Sequence, residues 1–216
     1  MTGYQQALSD AEQMAGFAAA HPSADPRWEG WLSQLEETIA RTRGHKLEQQ
    51  RAAKAWRDAM AKRKELRCYL HDRTLPYLTR AASYRLPELA GKFRRPRSNA
   101  SYRSFLTQIR RMLRLFDAHA EELKELSQEI LQDHRASVRA FEEAYALVAT
   151  SRRERARASA GLRNSAAKLL RVYWNLEAIY IMELDDFRES LKQWAAQRGP
   201  IARREERTKG TLRLIS

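Results

Sequence analysis

The chain contains a single cysteine, Cys68, among its 216 residues. One cysteine cannot form an intrachain disulfide or a multi-cysteine zinc site, so both of these ways of stabilising a fold are excluded. Glycine is also scarce: there are eight glycines, and no two are closer than 11 positions. Walker A and dinucleotide-binding loops need glycines a few positions apart, so the sequence excludes both.

Metal-binding and membrane-spanning signatures are missing as well. No glutamate is followed by a histidine three positions later, which argues against a carboxylate-bridged di-iron bundle. The densest apolar stretch, residues 172–184, is too short for a bilayer and is interrupted by Asn175, Glu177 and Glu183. The first residues lack the features of a secretory signal. We expect a cytoplasmic protein with no membrane contact, no cofactor and no identifiable small-molecule substrate.

The remaining composition is typical of long helices. Hydrophobic residues make up 43% of the chain, charged residues 31%, and there are only six prolines. Apolar residues recur at intervals of three and four, which is the period of a helix that buries one face. The prediction is an all-α fold: an elongated, antiparallel, coiled-coil-like bundle of about three long helices with short accessory helices.

Prolines and glycines suggest the limits of the segments. Three regions are predicted: a short N-terminal helix with its linker (1–26), a single helical bundle domain (27–198) and a basic C-terminal tail (199–216). Asp25-Pro26 predicts a helix start, because an acidic cap followed by proline at the first helical position is favoured. The first long helix is predicted to end at Leu75-Pro76, where a connector over residues 74–100 with its own short helix begins.

The most regular pattern begins at Tyr102 and predicts a second long helix. Consecutive steps of four interrupt its alternation around His134, and a long helix can absorb such a stutter by local unwinding. A turn near Asp133 is the alternative. A third long helix is predicted from Gly161 to Gln197. The predicted core residues of these two helices are Phe116, Leu123, Leu126, Tyr173, Leu176, Tyr180 and Phe187.

The net charge of +13 is unevenly distributed. Between Arg51 and Arg114 there are 18 lysines and arginines against 4 acids, a net charge of +14. Acids of the last helix are expected to neutralise part of this charge within the bundle, but unpaired arginines suit phosphate groups. The candidate polyanion-binding residues are Arg94, Arg95, Arg97, Arg103, Arg110, Arg111, Arg114, Arg152 and Arg153.

Tyrosines and one arginine-rich segment add to the polyanion hypothesis. Tyr84 and Tyr102 lie close to the arginines and could offer stacking surfaces, although most charge runs are solvated, salt-bridged faces. Arg110-Arg111-Met-Leu-Arg114-Leu-Phe resembles the arginine-rich helices of polyphosphate-binding CHAD domains. The histidine-led motif of that family is absent, so no residue role follows from the resemblance.

The nucleophilic and acidic residues offer two arrangements that could support catalysis or metal binding. Cys68 and His71 are three positions apart and would share a helix face, but a small buried thiol near the end of a helix, beside a surface histidine, is the simpler interpretation. The residues that could donate metal ligands from one helix are Asp117, His119, Glu122 and His134. A histidine on an apolar seam is more often a hydrogen-bonded core residue. We therefore predict no catalytic and no metal site.

Two functions remain. The leading hypothesis is a non-enzymatic helical interaction or scaffold protein that self-associates, because residues 172–184 are more apolar than one buried face requires. The alternative is a polyanion-binding protein, most plausibly for nucleic acid, that uses its arginine-rich patches. An enzyme ranks third.

Overall fold

A computed structural model describes residues 3–124 and 128–197 of the chain. Every regular element within these residues is helical, which confirms the predicted all-α fold class. The predicted core residue Leu126 and the predicted basic tail, 199–216, lie outside the described residues.

The helices differ greatly in length. The α-helices are α1 (Gly3–Ala20), α2 (Trp28–Tyr69), α3 (Leu75–Arg85), α4 (Tyr102–Ala118) and α5 (Gln128–Glu183). The other helical segments are a π-helical turn (Leu70–Thr74), a 3₁₀-helix (Pro87–Phe93) and a last helical stretch over 187–197. Only α2, with 42 residues, and α5, with 56, exceed forty residues among those described. The predicted bundle of three long helices is therefore not confirmed.

Contacts between Cα atoms divide the chain into two compact units. Unit 1 consists of Met1–Gln50 and Arg157–Ser216, and unit 2 of Arg51–Ala156. The division falls within α2 and within α5, so each of the two long helices contributes one part to each unit. The single bundle domain over residues 27–198 stays a prediction.

Unit 1 has a core of aliphatic and aromatic side chains. Its buried residues are Leu8, Ala11, Met14, Phe17, Ala18, Leu35, Ile39, Leu169, Val172, Leu176, Tyr180 and Phe187. The ring centroid of Phe17 lies 5.3 Å from that of Tyr180 and 5.6 Å from that of Phe187. The Tyr180 hydroxyl accepts a hydrogen bond of 2.8 Å from Trp28 Nε1 and donates one to the carbonyl of His21. The buried phenol is thus fully satisfied.

Two glycines of unit 1 lie within helices and beneath neighbouring rings. A Cβ atom on Gly16 would overlap the ring of Trp194, and one on Gly161 would lie 3.3 Å from Nδ1 of His45. The predicted start of a third long helix at Gly161 is wrong, because α5 passes through this residue without a break. Close packing against His45 is a sufficient reason for a glycine at this point of a helix.

Unit 2 has its own core, to which every helical segment between residues 66 and 145 contributes. Its buried residues are Leu70, Leu75, Leu78, Ala82, Leu86, Phe93, Phe105, Leu106, Ile109, Met112, Phe116, Leu123, Leu131, Val138 and Phe141. Of the predicted core residues in the two units, all those described are buried except Tyr173, which is half-buried.

The long helix predicted from Tyr102 is interrupted, so the prediction of continuity is wrong. α4 ends at Ala118 and α5 begins at Gln128, and the alternative turn near Asp133 is absent because that residue lies within α5. Turn residues occupy 119–124, and Leu123 in this turn is only 1% exposed. The turn forms although the local sequence contains good helix formers.

α4 and the first part of α5 pack as an antiparallel hairpin. Ion pairs join Arg110 to Glu142 and Arg135 to Asp117, and the Phe105 and Phe141 ring centroids are 5.4 Å apart. Phe105 and Arg110 meet residues 141 and 142 of α5, whereas Asp117, near the end of α4, meets Arg135, nearer the start of α5. A hairpin buries the same apolar seam that one long helix would bury against a partner.

The predicted break at Leu75-Pro76 is a π-helical turn. The Leu75 N–H donates to the carbonyl of Leu70, five positions earlier. Pro76 lacks an N–H, and in a regular α-helix its ring would collide with the carbonyl four positions earlier, so a wider turn relieves the clash. α3 follows directly. The predicted connector over residues 74–100 is consequently helical in its first part.

Candidate functional site

Three arginines surround one surface depression of unit 2, which we call the basic depression. It has a volume of about 280 Å³ and is lined by Arg80, Arg94 and Arg95 with Pro76, Thr79, Ser83, Ala90 and Phe93. No acidic residue of the described ranges lines it. Among the described residues none of the three arginines forms an ion pair. Three guanidinium groups around a concave surface without acids attract an anion.

Local structure brings these residues together from two neighbouring segments. Thr79, Arg80 and Ser83 share one face of α3, since residues three and four apart on a helix are neighbours. The 3₁₀-helix packs against α3 and ends at Phe93, whose buried ring lies 5.2 Å from that of Phe116. Arg94 follows in an extended conformation, with φ −70° and ψ 132°. The buried Phe93 thus anchors the backbone that carries the next two arginines.

Two exposed tyrosines flank Arg80 on α3. Tyr77 precedes it by three positions and Tyr84 follows it by four, so all three residues share one helix face. The Tyr77 and Tyr84 side chains are 45% and 82% exposed. Arg80 and Tyr77 were not among the predicted site residues, because Arg80 lies outside the arginine runs. The spacing Tyr-x-x-Arg-x-x-x-Tyr in a short helix is the signal that could have identified them.

The predicted polyanion-binding arginines are not gathered into one site. Arg94 and Arg95 line the basic depression, whereas Arg110 pairs with Glu142. The exposed candidates that do not line the depression are Arg97, Arg103, Arg111, Arg114, Arg152 and Arg153. The role of these six residues in anion binding stays a prediction. Arg110 instead fits the alternative that arginine runs form a salt-bridged face, because it pairs with Glu142.

Arginines that precede the depression in α2 are engaged within unit 2. The Arg63 guanidinium carbon lies 3.8 Å from the ring centroid of Tyr102, and that of Arg67 lies 4.9 Å from the same centroid. Arg67 Nη2 also donates to the carbonyls of Ser98 and Ala100, each at 2.7 Å. Tyr102, which we predicted as a stacking surface for a ligand, therefore stacks with the protein's own arginines.

Cys68 and His71 show no nucleophile–base contact. Cys68 is exposed and has no hydrogen-bond partner in the described part of the chain. His71 Nδ1 lies 2.6 Å from Asp72 Oδ1. The thiol is thus not the buried structural one expected from the sequence.

The four residues considered as metal ligands are directed to separate partners. Asp117 pairs with Arg135, and His119 lies 3.4 Å from a carboxylate oxygen of Glu122. His134 is fully buried, with its Nδ1 3.0 Å from the hydroxyl of Thr74. Among residues 3–124 and 128–197, no group of three or more His, Cys, Asp or Glu could hold a metal ion.

One further surface feature lies in unit 1, on the last turns of α5. Trp174, Ile181 and Met182 are 58%, 52% and 82% exposed, although Val172 and Leu176 on the same helix are buried. We call these three exposed residues the apolar strip. Helix α5 therefore has apolar residues on two faces, of which only one is covered in unit 1.

Comparison of the chain with family models, with curated protein sequences and with solved structures finds no match in any of the three. In the described ranges, no helix has both the length and the apolar character needed to cross a membrane.

Proposed function

We propose that this chain is a cytoplasmic polyanion-binding protein that holds phosphate groups of nucleic acid in the basic depression. The observation that carries this proposal is the convergence of Arg80, Arg94 and Arg95 around one concave surface that none of the described acids lines. Guanidinium groups match phosphate oxygens through paired hydrogen bonds, and they need no cofactor to do so.

The flanking tyrosines favour a single-stranded nucleic acid. Tyr77 and Tyr84 stand on either side of Arg80 on one face of α3, and both are exposed. An unpaired base can stack on such a ring while its phosphate meets the arginine, and this combination tolerates any base sequence. A duplex does not present unstacked bases, so we expect the chain to bind single strands more tightly.

The test is a salt titration of binding to a fluorescent oligothymidine. We expect a triple variant to reduce the magnitude of the slope of log affinity against log salt concentration by about two, because each phosphate contact to a single strand contributes roughly 0.7 to that slope. The variant combines Arg80→Gln, Arg94→Gln and Arg95→Gln. Its melting temperature should hardly change, since exposed charges contribute little to stability.

A matched triple variant separates a defined site from diffuse charge. Arg103→Gln, Arg111→Gln and Arg114→Gln remove the same net charge from exposed positions of α4. This control should lower the slope by clearly less than the first triple variant does. Equal losses from the two variants would show that net charge alone attracts the strand, and the site proposal would be wrong.

A self-associating helical scaffold, which the sequence places first, is the second candidate. The apolar strip supports it, because exposed large apolar side chains on one helix face are typical of a contact surface. The partner that covers the apolar strip is then a second copy of the chain, and the apolar strips of the two copies pack against each other.

Sedimentation at several protein concentrations tests this candidate. The double variant Trp174→Ser and Ile181→Ser should shift the chain towards the monomer, while Leu147→Ser, at a position that is 53% exposed in unit 2, should not. A wild-type chain that stays monomeric up to about 100 μM has an association free energy too weak for a stable homodimer, which would remove this candidate.

A further inference from the structure

A second depression, in unit 1, differs in chemistry from the basic one. It has a volume of about 480 Å³ and is formed mainly by Trp31 and Gln34 of α2 and by Asn164, Lys168, Arg171 and Asn175 of α5. We call it the amide groove. Its volume falls within the range of small-molecule binding sites, roughly 300–1,000 Å³.

The spacing along the two helices explains why these side chains converge. Asn164, Lys168, Arg171 and Asn175 follow one another at steps of four, three and four, so they form one stripe on α5. Trp31 and Gln34 are three positions apart on α2. Trp31 is half-buried and also packs against the core of unit 1, which restricts its indole ring to one side of the groove.

The polar groups of the groove are available to a ligand. In the described part of the chain, neither the three carboxamides nor Lys168 and Arg171 form a hydrogen bond or an ion pair through their side chains. None of the acidic residues that the structure describes lines the groove. A cationic ligand would meet two positive charges, and a wholly apolar ligand would leave three amides without partners.

We propose that the amide groove binds a nucleoside phosphate. The heterocycle stacks on Trp31, the carboxamides of Gln34, Asn164 and Asn175 hydrogen-bond its edge, and Lys168 and Arg171 hold the phosphate. A carboxamide both donates and accepts hydrogen bonds, as the edge of a nucleobase does. The inference is carried by unit 1 alone and does not depend on the basic depression of unit 2.

Calorimetric titration of the full chain with four probes tests the proposal. AMP should bind more tightly than adenosine or inorganic phosphate, because only AMP engages both the indole and the cations. A ten-nucleotide oligoadenylate distinguishes the source of the ligand: tighter binding than AMP indicates a nucleotide within a strand, and binding no tighter indicates a free nucleotide.

Two variants and two controls localise the site. Trp31→Leu and Arg171→Gln should each weaken AMP binding by about tenfold or more, as expected for the loss of one stacking or one charged contact. Trp56→Leu removes another half-buried tryptophan of α2, and Arg163→Gln another exposed arginine of α5. Both controls should leave the affinity for AMP unchanged, as should the triple variant of the basic depression.

Three outcomes would overturn the inference. The first is the absence of AMP and oligoadenylate binding at millimolar concentrations. The second is equal affinity for AMP and phosphate, which would eliminate the stacking contact. The third is an equal effect of Arg171→Gln and Arg163→Gln. Arg171 is exposed, so its variant should fold and give a result even if Trp31→Leu unfolds the chain.

Discussion

We expect the buried histidine of unit 2 to make the stability of this protein sensitive to mild acid. His134 has no exposed surface, and its Nδ1 lies 3.0 Å from the Thr74 hydroxyl. Its Nε2 is buried without a hydrogen-bond partner among the described residues. Burial lowers the pKa of His134 from 6.5 to about 4, while the opposite charges of Asp133 and Arg135 act on it in opposite directions.

The sign and size of the effect follow from this pKa. A histidine with a lowered pKa in the folded state stabilises the fold fully above pH 6.5, and this stabilisation is lost as the pH falls towards 4. The difference between a pKa of 6.5 in the unfolded state and about 4 in the folded state corresponds to roughly 3 kcal/mol of unfolding free energy over the whole pH range. Between pH 7 and pH 5, the free energy of unfolding should fall by about 2 kcal/mol through His134 alone.

Urea unfolding of the wild type and of His134→Leu, followed by circular dichroism at pH 7 and pH 5, isolates this contribution. The leucine variant cannot titrate, and Thr74 keeps its hydrogen bond to the carbonyl of Leu70. The fall in stability should be about 2 kcal/mol smaller in the variant, because all other titrating groups are shared. His119→Gln, in a partly exposed turn, should behave as the wild type.

Equal losses in the wild type and in His134→Leu would refute the reasoning. They would mean that the folded state accommodates the charged imidazole, either through water at Nε2 or by local opening of the π-helical turn that carries Thr74.

Packing and exposure should determine the outcome of four other substitutions, each measurable by urea unfolding. Gly16→Ala should destabilise by about 1–3 kcal/mol, because its Cβ meets the Trp194 ring. Gly44→Ala, with open space around it, should stabilise the fold by up to about 1 kcal/mol. A Gly44→Ala variant less stable than Gly16→Ala would contradict the packing at these two positions. Leu176→Ala should cost about 2–5 kcal/mol, and a neutral result would exclude it from the core. Cys68→Ser should be neutral at this exposed position, so a large loss of stability would contradict its exposure.

The core could be predicted from the sequence because helical periodicity depends only on local spacing. Phe116, Leu123 and Leu176 lie on apolar seams, and each is buried in the structure. A seam side chain must be covered whether its partner is another helix, a hairpin arm or a second chain. The pattern therefore identifies what is buried without identifying what covers it.

The connections between helices could not be predicted for the same reason. The chain turns between Ala118 and Gln128 at a place that has neither glycine nor proline, and it continues as a helix through Gly161. Helix propensity and local spacing decide neither case. Leu123 is buried within the turn, and the ring of His45 leaves little room for a side chain at position 161.

The candidate anion site illustrates a further limit of charge patterns. Sequence patterns single out arginines that lie close together along the chain. Closeness along the chain does not determine whether a guanidinium group has an acidic partner in the fold. Arg110 lies among three arginines within five residues and pairs with Glu142, 32 positions away, because the hairpin aligns them. Arg80 has no basic neighbour within four positions in the sequence. It lines one depression with Arg94 and Arg95 because the 3₁₀-helix that follows α3 packs back against it. Pairing follows the fold, so an anion site is best sought among arginines from different segments that converge without an acid between them.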